Sequence, residues 1–410
     1  MLHHKLILDA AVAAALDAGF SAAFGGAPER YFSAPGRTEI GGNHTDHQRG
    51  RVLAGAVNLD TVAAVRCNGT SVIRILSEGY PLCQVDVQEL TPVAEEINTT
   101  LALIRGVAAR FVQLGCKVEG FDAYVTSTVL PGSGLSSSAA YEVLIGTIIN
   151  HLFFDGKVSQ PEIAMIGQYA ENVFFGKPCG LMDQMASAVG SMVTIDFLDK
   201  DNPVIEKVDF DFAACGHALC IIDSRASHAD LTDEYAAITQ ELKAVCSHFG
   251  KDVLTQIPEN EFIAAIKELR ERFGDRAVLR AYHFYKENAR VPQQVAALKN
   301  GDFDTFLRLI KESGYSSYMY LQNVIPAGYR EHQDVALALS LCELYLGGRG
   351  AYRVHGGGFA GTVQAFVPVD ILDSFRQGID AVLGEGACHV LAIRPHGGVE
   401  AFAQANASAI

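Results

Sequence analysis

The chain has 410 residues, more than a single hydrophobic core usually holds, so two domains are expected. Hydrophobic residues make up 49% of it and charged residues 19%, a balance that excludes an intrinsically disordered protein. The formal net charge of −15 repels nucleic acids and anionic membranes, which excludes both as bulk partners.

The cysteines and the hydropathy pattern limit the protein's location. Nine cysteines are scattered along the chain without a Cys-x-x-Cys pair, and no signal peptide is recognisable at the start. This odd number predicts free thiols in a reducing cytoplasm and argues against structural zinc. No stretch has the length and apolar character of a membrane span. We therefore expect a cytoplasmic protein, and a monomer, although the sequence leaves the oligomeric state open.

The first part of the chain mixes helical and β-type patterns. An amphipathic helix is predicted over residues 5–24, and short β-type runs follow, notably 52–65 and 71–76. A helix is predicted over 97–115, then a strand over 121–129 and a long helix from 135 to about 153. Strands and helices are thus mixed from the beginning of the chain.

A dense polar segment lies between two apolar stretches of this β-rich region. Residues 36–48 read Gly-Arg-Thr-Glu-Ile-Gly-Gly-Asn-His-Thr-Asp-His-Gln. So many donors and acceptors suit a polyol, because each hydroxyl of a sugar both donates and accepts, and Asp46 could accept from two of them. A solvated loop is the plainer interpretation of this segment taken alone.

A glycine- and serine-rich turn joins the strand at 121–129 to the helix that follows it. Helix N-termini have unpaired N–H groups and a partial positive charge, and they bind anions. Glycines let the backbone approach a ligand closely, and three consecutive serines exceed what a helix cap requires. The turn therefore predicts a phosphate cradle, although it lacks the Gly-Lys-Ser/Thr of the common P-loop. Its residues are Gly132, Ser133, Gly134, Leu135, Ser136, Ser137 and Ser138.

An acidic residue in apolar surroundings follows. A helix over 160–175 ends before Gly176, and a short helix begins after Gly180 with Asp183 among leucine and methionine. A buried carboxylate needs a cation beside it to stay ionised, and the residue pattern alone does not identify that cation. After a strand at 191–197, a polar break at 199–203 predicts the boundary between domains 1–203 and 204–410.

The second half contains more helix. The patterns predict a strand at 218–223, helices at 230–249, 259–273, 276–290, 292–313 and 331–346, strands within 353–368, a helix at 370–383 and a strand at 389–394. The glycine run at 356–358 marks either a close backbone approach or a tight hairpin. Because strict β-α-β alternation is missing, the whole is predicted to be an α+β fold.

Three of these blocks, in this order, resemble the GHMP superfamily of small-molecule kinases and, within it, the galactokinase family. The blocks are Gly-Ser-Gly-Leu-Ser-Ser-Ser-Ala in the middle, Gly-Lys-Pro-Cys-Gly-Leu-Met-Asp-Gln at 176–184 and Gly-Gly-Gly-Phe-Ala-Gly at 356–361. Lesser likenesses lie at 287–290 and 301–313. The resemblance implies an N-terminal α+β domain with a mixed sheet, a C-terminal ferredoxin-like α+β domain and an active site in the cleft between them.

The resemblance also implies an activity, ATP-dependent transfer of a phosphoryl group to the anomeric hydroxyl of galactose. By similarity the serine turn holds the ATP phosphates, and Ser138 and Glu171 hold Mg²⁺. Asp183 matches the family's catalytic base, and Arg37 matches the arginine beside it. The expected partners are thus a small sugar and ATP. Besides Asp183, the sugar contacts would be Asn43, His44, Asp46, Gly180 and Tyr235.

The sugar signature departs from the usual family pattern, Gly-Arg-x-Asn-Leu-Ile-Gly-Glu-His-x-Asp-Tyr. Asn43 stands where a glutamate normally contacts the hydroxyl at C6 of the sugar. An amide there could instead donate to a carboxylate at C6, which makes galacturonate a rival of galactose, with N-acetylgalactosamine a weaker one. A sugar sensor without activity is a further alternative, although neither the serine turn nor the expected base is visibly damaged.

Overall fold

The computed structural model describes residues 6–129, 134–177, 179–226 and 231–403. Its strands are β1 (Leu6–Leu8), β2 (Arg30–Gly41), β3 (Arg51–Cys67), β4 (Val72–Ser77), β5 (Cys83–Asp86), β6 (Phe121–Ser127), β7 (Met192–Asp196), β8 (Val204–Val208), β9 (His217–Asp223), β10 (Ala351–His355), β11 (Thr362–Pro368), β12 (Cys388–Leu391) and β13 (Val399–Ala403). Its helices are α1 (Ala10–Phe24), α2 (Thr100–Gln113), α3 (Ser137–Phe153), α4 (Gln160–Tyr169), α5 (Met182–Val189), α6 (Thr232–His248), α7 (Glu259–Phe273), α8 (Asp275–Lys299), α9 (Phe303–Ser316), α10 (Asp334–Leu346) and α11 (Leu372–Leu383).

The first sheet is mixed and has the strand order β1-β13-β2-β3-β6-β4-β5. Strand β3 is long enough to pair with β6 through residues 61–67 and with β7 through residues 51–55. The pairs β1–β13 and β4–β6 are parallel, and the other pairs are antiparallel. Apolar side chains of α2, α3, α4 and α5 pack against this sheet and form one hydrophobic core.

The second sheet is antiparallel and has the order β10-β11-β9-β12. With α10 between β9 and β10, and α11 between β11 and β12, the chain follows a β-α-β-β-α-β course, which is the ferredoxin-like arrangement. Side chains of α10 and α11 pack on this sheet in a core of their own. The expected α+β class is therefore confirmed, with one mixed sheet and one ferredoxin-like sheet.

The division into domains at residue 203 stays a prediction, and the first sheet takes strands from both sides of that residue. Strand β8 begins at Val204 and pairs with β7, and β13 returns from the end of the chain to pair with β1 and β2. The first sheet thus includes two strands from beyond the boundary. The pairings of β13 join residues far apart in sequence, and local patterns do not predict them.

Two predicted helices are corrected by the structure. The helix expected over 5–24 is a short strand, β1, followed by α1, which begins after the Asp9 cap. The helices expected over 276–290 and 292–313 divide elsewhere, because α8 continues through Pro292 to Lys299 and α9 begins at Phe303. Pro292 is exposed while its neighbours Val291 and Val295 are buried, so packing on the opposite side holds the helix together.

A phenylalanine cluster joins the two sheets. Phe212, Phe306 and Phe366 lie with ring centroids 5.1–5.9 Å apart. They belong to a core that also contains Ile40 of β2 and Leu391 of β12. Since buried aromatic side chains contribute strongly to packing, this cluster fixes the two layers against each other.

One expectation from composition is met, that of free thiols. All nine cysteines are free thiols, as predicted. Over the described ranges, no helix combines the length and the apolar character needed to cross a bilayer. Five of the nine thiols are buried in the hydrophobic cores, where they pack as small apolar side chains.

We predict that Phe306→Ala lowers the free energy of unfolding by about 3–5 kcal/mol, because it leaves a cavity between the two sheets. The midpoint of urea unfolding, followed by fluorescence and circular dichroism, measures the loss. Leu344→Ala is the control, since that side chain is 66% exposed and should change stability little. Equal effects of both variants would contradict the role given to the cluster.

Candidate active site

An ion pair lies at the centre of the candidate site. Arg37 of β2 donates from Nε to Oδ1 of Asp183 at 2.6 Å and from Nη2 to Oδ2 at 2.8 Å. Its third nitrogen donates to the carbonyl of Gly134, and the hydroxyl of Ser136 donates to Oδ2 of Asp183. The sheet, the serine turn and the first turn of α5 therefore meet at one carboxylate.

The electrostatics of this pair keep Asp183 ionised. Burial alone would raise the pKa of Asp183, but the charge and hydrogen bonds of Arg37, with the hydroxyl of Ser136, lower it below its ordinary value. The Asp183 side chain is 31% accessible, against 8% for that of Arg37. The carboxylate therefore presents a charged edge to the cleft, while its counter-ion is covered.

The serine turn comes close to the second sheet. Gly134 has φ +70°, and a Cβ atom there would press on Thr362 and His355. Ser136 also has a positive φ, and Ser137 begins α3, with Ser138 in its first turn. Backbone N–H groups of this helix start have no intrahelical acceptor, which suits an anion. Of the other predicted phosphate contacts, the side chain of Leu135 is buried in the core, and Gly132 and Ser133 lie outside the described residues.

Glu171 lies beside the ion pair in a buried carboxylate cluster. It belongs to a π-helical segment, Ala170–Phe175, and such segments are frequent at functional sites. Its Oε2 accepts from Nε2 of Gln184 at 2.9 Å, and the same amide donates to Glu142 at 3.0 Å. Burial, followed by the charge of Glu171, raises the pKa of Glu142 well above its ordinary value.

Hard oxygen donors are available for a divalent cation. The predicted pair is the hydroxyl of Ser138, in the first turn of α3, and the carboxylate of Glu171, which is 3.6 Å from the ammonium of Lys177. Within the described residues, no cluster of three or more histidine, cysteine or acidic side chains could hold a metal by itself. This donor set fits Mg²⁺, which keeps several waters and takes phosphate oxygens from its substrate.

Four of the predicted sugar contacts surround the cleft. His44 Nε2 lies 3.0 Å from the carbonyl of Gly357, and the hydroxyl of Tyr235 donates to the carbonyl of Gly358 at 2.8 Å. A Cβ atom at Gly180 would overlap the carboxylate of Asp46, so only glycine fits there. The turn after β2, the start of α6 and the glycine loop 356–358 therefore come together.

His44 is a neutral side chain with a defined tautomer. Burial, with the nearby charge of His47, lowers the pKa of His44 to about 3. Since a carbonyl only accepts, Nε2 of His44 must carry the proton that it donates to Gly357. Nδ1 is then an acceptor, a group that can receive a hydrogen bond from a sugar hydroxyl.

Asn43, the predicted contact for C6 of the sugar, has a full set of hydrogen-bond partners within the protein. Its side chain is fully buried, and its amide donates to Glu39 at 3.0 Å and to the carbonyl of Gly356 at 2.7 Å. Its oxygen accepts from Ser317 at 3.1 Å and from Asn323 at 3.0 Å. With two donors and two acceptor sites engaged, the amide has no hydrogen bond left for a group at C6 of a sugar.

Several buried polar residues that hold the site were missed. Glu39 and Arg353 form a buried ion pair, and Nε2 of His355 accepts from the backbone N–H of Glu39 at 3.2 Å. Glu287 accepts from the N–H of Gly42 at 3.1 Å and fixes the signature backbone from α8. The only available signal was the likeness at 287–290. Nothing in the sequence distinguishes Glu39 or Arg353 from solvated surface charges.

Two family models match the chain. They are the galactokinase galactose-binding signature, over residues 18–67, and the GHMP kinases N-terminal domain, over residues 102–191. A galactokinase of Glaesserella parasuis serovar 5 (strain SH0165) is 32% identical over 370 residues, which cover 87% of this chain and 90% of the relative. A galactokinase of Streptomyces coelicolor is 31% identical over 372 residues, which cover 90% and 92%.

Solved structures share the fold. The galactokinase of Lactococcus lactis, crystallised in complex with galactose, superimposes with a TM-score of 0.80 at 25% identity and covers 95% of this chain and 99% of its own. The mevalonate kinase of Methanococcus jannaschii superimposes with a TM-score of 0.62 at 13% identity, covering 90% and 99%. The latter likeness concerns the fold alone.

We predict that Arg37→Ala raises the pKa of Asp183, because burial then acts without the opposing charge. Carbon-detected NMR titration of the aspartate carboxyls, with Asp183→Asn used for assignment, measures the shift. Arg51→Ala is the matched control, since Arg51 forms a similar pair with Asp196 at 2.7 Å and should leave Asp183 unchanged. An unaltered Asp183 titration in Arg37→Ala would contradict the assignment.

Proposed function

The chain belongs to the galactokinase family of GHMP kinases, and we propose that it is an ATP-dependent sugar-1-kinase whose acceptor is D-galactose. The γ-phosphoryl group of ATP is transferred to the anomeric hydroxyl, and galactose 1-phosphate and ADP leave. The observation that carries the proposal is the Asp183 carboxylate, held by two hydrogen bonds from Arg37 and partly open to the cleft.

In this mechanism Asp183 orients the attacking hydroxyl. A carboxylate with a lowered pKa is too weak a base to deprotonate a sugar hydroxyl in the ground state. It accepts the hydrogen bond of that hydroxyl and takes the proton as the bond to phosphorus forms. Arg37 keeps the carboxylate charged and in one orientation, so that little rearrangement is needed at the moment of transfer.

The phosphates of ATP bind at the N-terminus of α3, where the local potential is positive. The start of α3, with Ser137 and Ser138, supplies backbone N–H groups and hydroxyls against an overall charge of −15. Mg²⁺ would be held by Ser138 and Glu171, and when bound it offsets charge on the β- and γ-phosphates. Gln184 fixes the Glu171 carboxylate by its hydrogen bond at 2.9 Å.

The sugar is held by His44, Asp46, Tyr235 and the backbone at Gly180, next to Asp183. One reason to expect galacturonate was an amide of Asn43 free to donate to a carboxylate at C6. That amide is bonded to Glu39 and Gly356, so the argument loses its donor and galactose is favoured. A sugar sensor needs no preserved phosphoryl-transfer site, whereas Arg37 and Asp183 are paired here.

We also propose a cytoplasmic location, in keeping with nine free thiols in a chain of this length. A monomer remains our prediction.

We predict ADP release with D-galactose and Mg-ATP that exceeds release with D-galacturonate, N-acetyl-D-galactosamine and D-glucose. A coupled assay of ADP over this panel measures the preference, with sugar-free enzyme as the blank. Faster turnover of galacturonate than of galactose would contradict the proposed substrate, and no turnover of any sugar would contradict the kinase.

We predict that Asp183→Asn lowers kcat by about 10²–10⁴-fold, because the amide cannot take the proton of the hydroxyl. ATP affinity, measured by calorimetry, should stay within a few-fold of the unchanged protein. The matched control is Asp196→Asn, whose side chain is 28% exposed and forms a similar arginine pair away from the cleft. An equal loss of ATP binding in Asp183→Asn would make the residue structural.

A further inference from the structure

A buried polar network connects the sugar-binding turn to the glycine loop. Glu39, Asn43 and Arg353 are 3%, 0% and 0% exposed, so each must find its partners inside the protein. Oε1 of Glu39 accepts from both of the other side chains. One carboxylate oxygen thus joins an arginine of the second sheet to an asparagine just beyond β2.

Arg353 cannot move to another position without losing several bonds. Its Nε donates to the carbonyl of Val354 at 2.9 Å, and its Nη1 donates to the carbonyl of Ile40 at 2.9 Å. Its Nη2 donates to Glu39. Since a buried ion pair that loses one partner is strongly destabilised, Glu39 and Arg353 form a fixed anchor.

Asn43 connects the Glu39–Arg353 ion pair to the glycine loop. One amide hydrogen is given to Glu39, and the other to the carbonyl of Gly356 at 2.7 Å. The next two carbonyls of the loop are also held, that of Gly357 by His44 and that of Gly358 by Tyr235. Asn323 also donates to the carbonyl of Gly357, at 3.2 Å. Three successive loop carbonyls are therefore held by side chains, and two of these, His44 and Tyr235, we propose as sugar contacts.

We propose that Asn43 is a positioning residue, which transmits the position of the Glu39–Arg353 ion pair to the glycine loop and so places His44 and Tyr235 for the sugar. This inference rests on the proposed function, because its effect is read on sugar binding. It differs from a direct contact at C6, since Asn43 acts through Gly356 and touches no substrate.

The residue type follows from the partners. Only an amide donates twice and accepts twice at this place, towards Glu39 and Gly356 on one side and Ser317 and Asn323 on the other. A carboxylate at 43, the group usual in the family, would face the carboxylate of Glu39 in a buried site. The usual family pattern has an asparagine at the position of Glu39 and a glutamate at the position of Asn43. This chain therefore has the same two kinds of group, an amide and a carboxylate, with their positions exchanged.

The test is a double-mutant cycle with variants of unchanged shape, Glu39→Gln, Asn43→Asp and both together. Asn43→Asp places two carboxylates in contact, so the KM for galactose rises about tenfold or more while the KM for ATP changes little. Adding Glu39→Gln removes the repulsion, so the double variant recovers part of the loss. It stays below the unchanged protein, because Gly356 still lacks its donor. Strictly additive effects would overturn the proposal.

A second substrate separates positioning from direct contact. With 6-deoxy-D-galactose, which lacks the hydroxyl at C6, the fold increase in KM caused by Asn43→Asp should equal that with galactose. An increase confined to galactose would mean that Asn43 contacts C6, and the proposal would be wrong. Ser317→Ala, which removes one donor to Asn43 without a charge change, should raise the sugar KM in the same way if Asn43→Asp does not fold.

A control and an activity-independent measurement complete the design. Asp60→Asn breaks the pair with Arg394, whose side chain is 7% exposed, and should lower the melting temperature without changing the sugar KM. Hydrogen exchange over residues 356–358 should quicken in Asn43→Asp and not in Asp60→Asn. Absence of sugar turnover in the unchanged protein would refute the proposed function, whereas unaltered exchange in Asn43→Asp would refute the positioning role.

Discussion

The bidentate ion pair between Arg37 and Asp183 is the interaction on which the site depends. A carboxylate surrounded by protein would take up a proton, and its position would be undefined, without a charged partner beside it. Arg37 supplies that partner and at the same time binds the carbonyl of Gly134. One guanidinium thus contacts both the carboxylate proposed to bind the sugar hydroxyl and the serine turn proposed to bind the phosphates.

The second constraint is the buried polar contact between the two sheets. His355 and Gln364 of the second sheet bind Thr38 of β2, and Arg353 binds Glu39. Burial, with the charges of the nearby arginines, lowers the pKa of His355, which stays neutral and accepts through Nε2. Because these buried groups find their partners inside the protein, they fix sequence segments some 300 residues apart against each other.

The sequence predicted those features that depend on local pattern or on a shared motif. The serine turn before α3 and the α+β class follow from the local patterns, and the family resemblance placed Arg37 beside Asp183, with which it forms an ion pair. It did not predict β13 beside β1 or the passage of α8 through Pro292, since both depend on packing between distant segments. Nor could it distinguish Asn43 as a buried residue, because the signature reads equally well as an exposed polar loop.

The most direct test of the account is the identity of the product formed from D-galactose and Mg-ATP. Phosphorus–proton correlation NMR identifies which carbon of the sugar carries the new ester. We expect one sugar phosphate per ADP, with the phosphorus coupled to the anomeric proton, because Asp183 is proposed to orient the anomeric hydroxyl. An ester on another carbon, or ADP formed without any sugar phosphate, would contradict it.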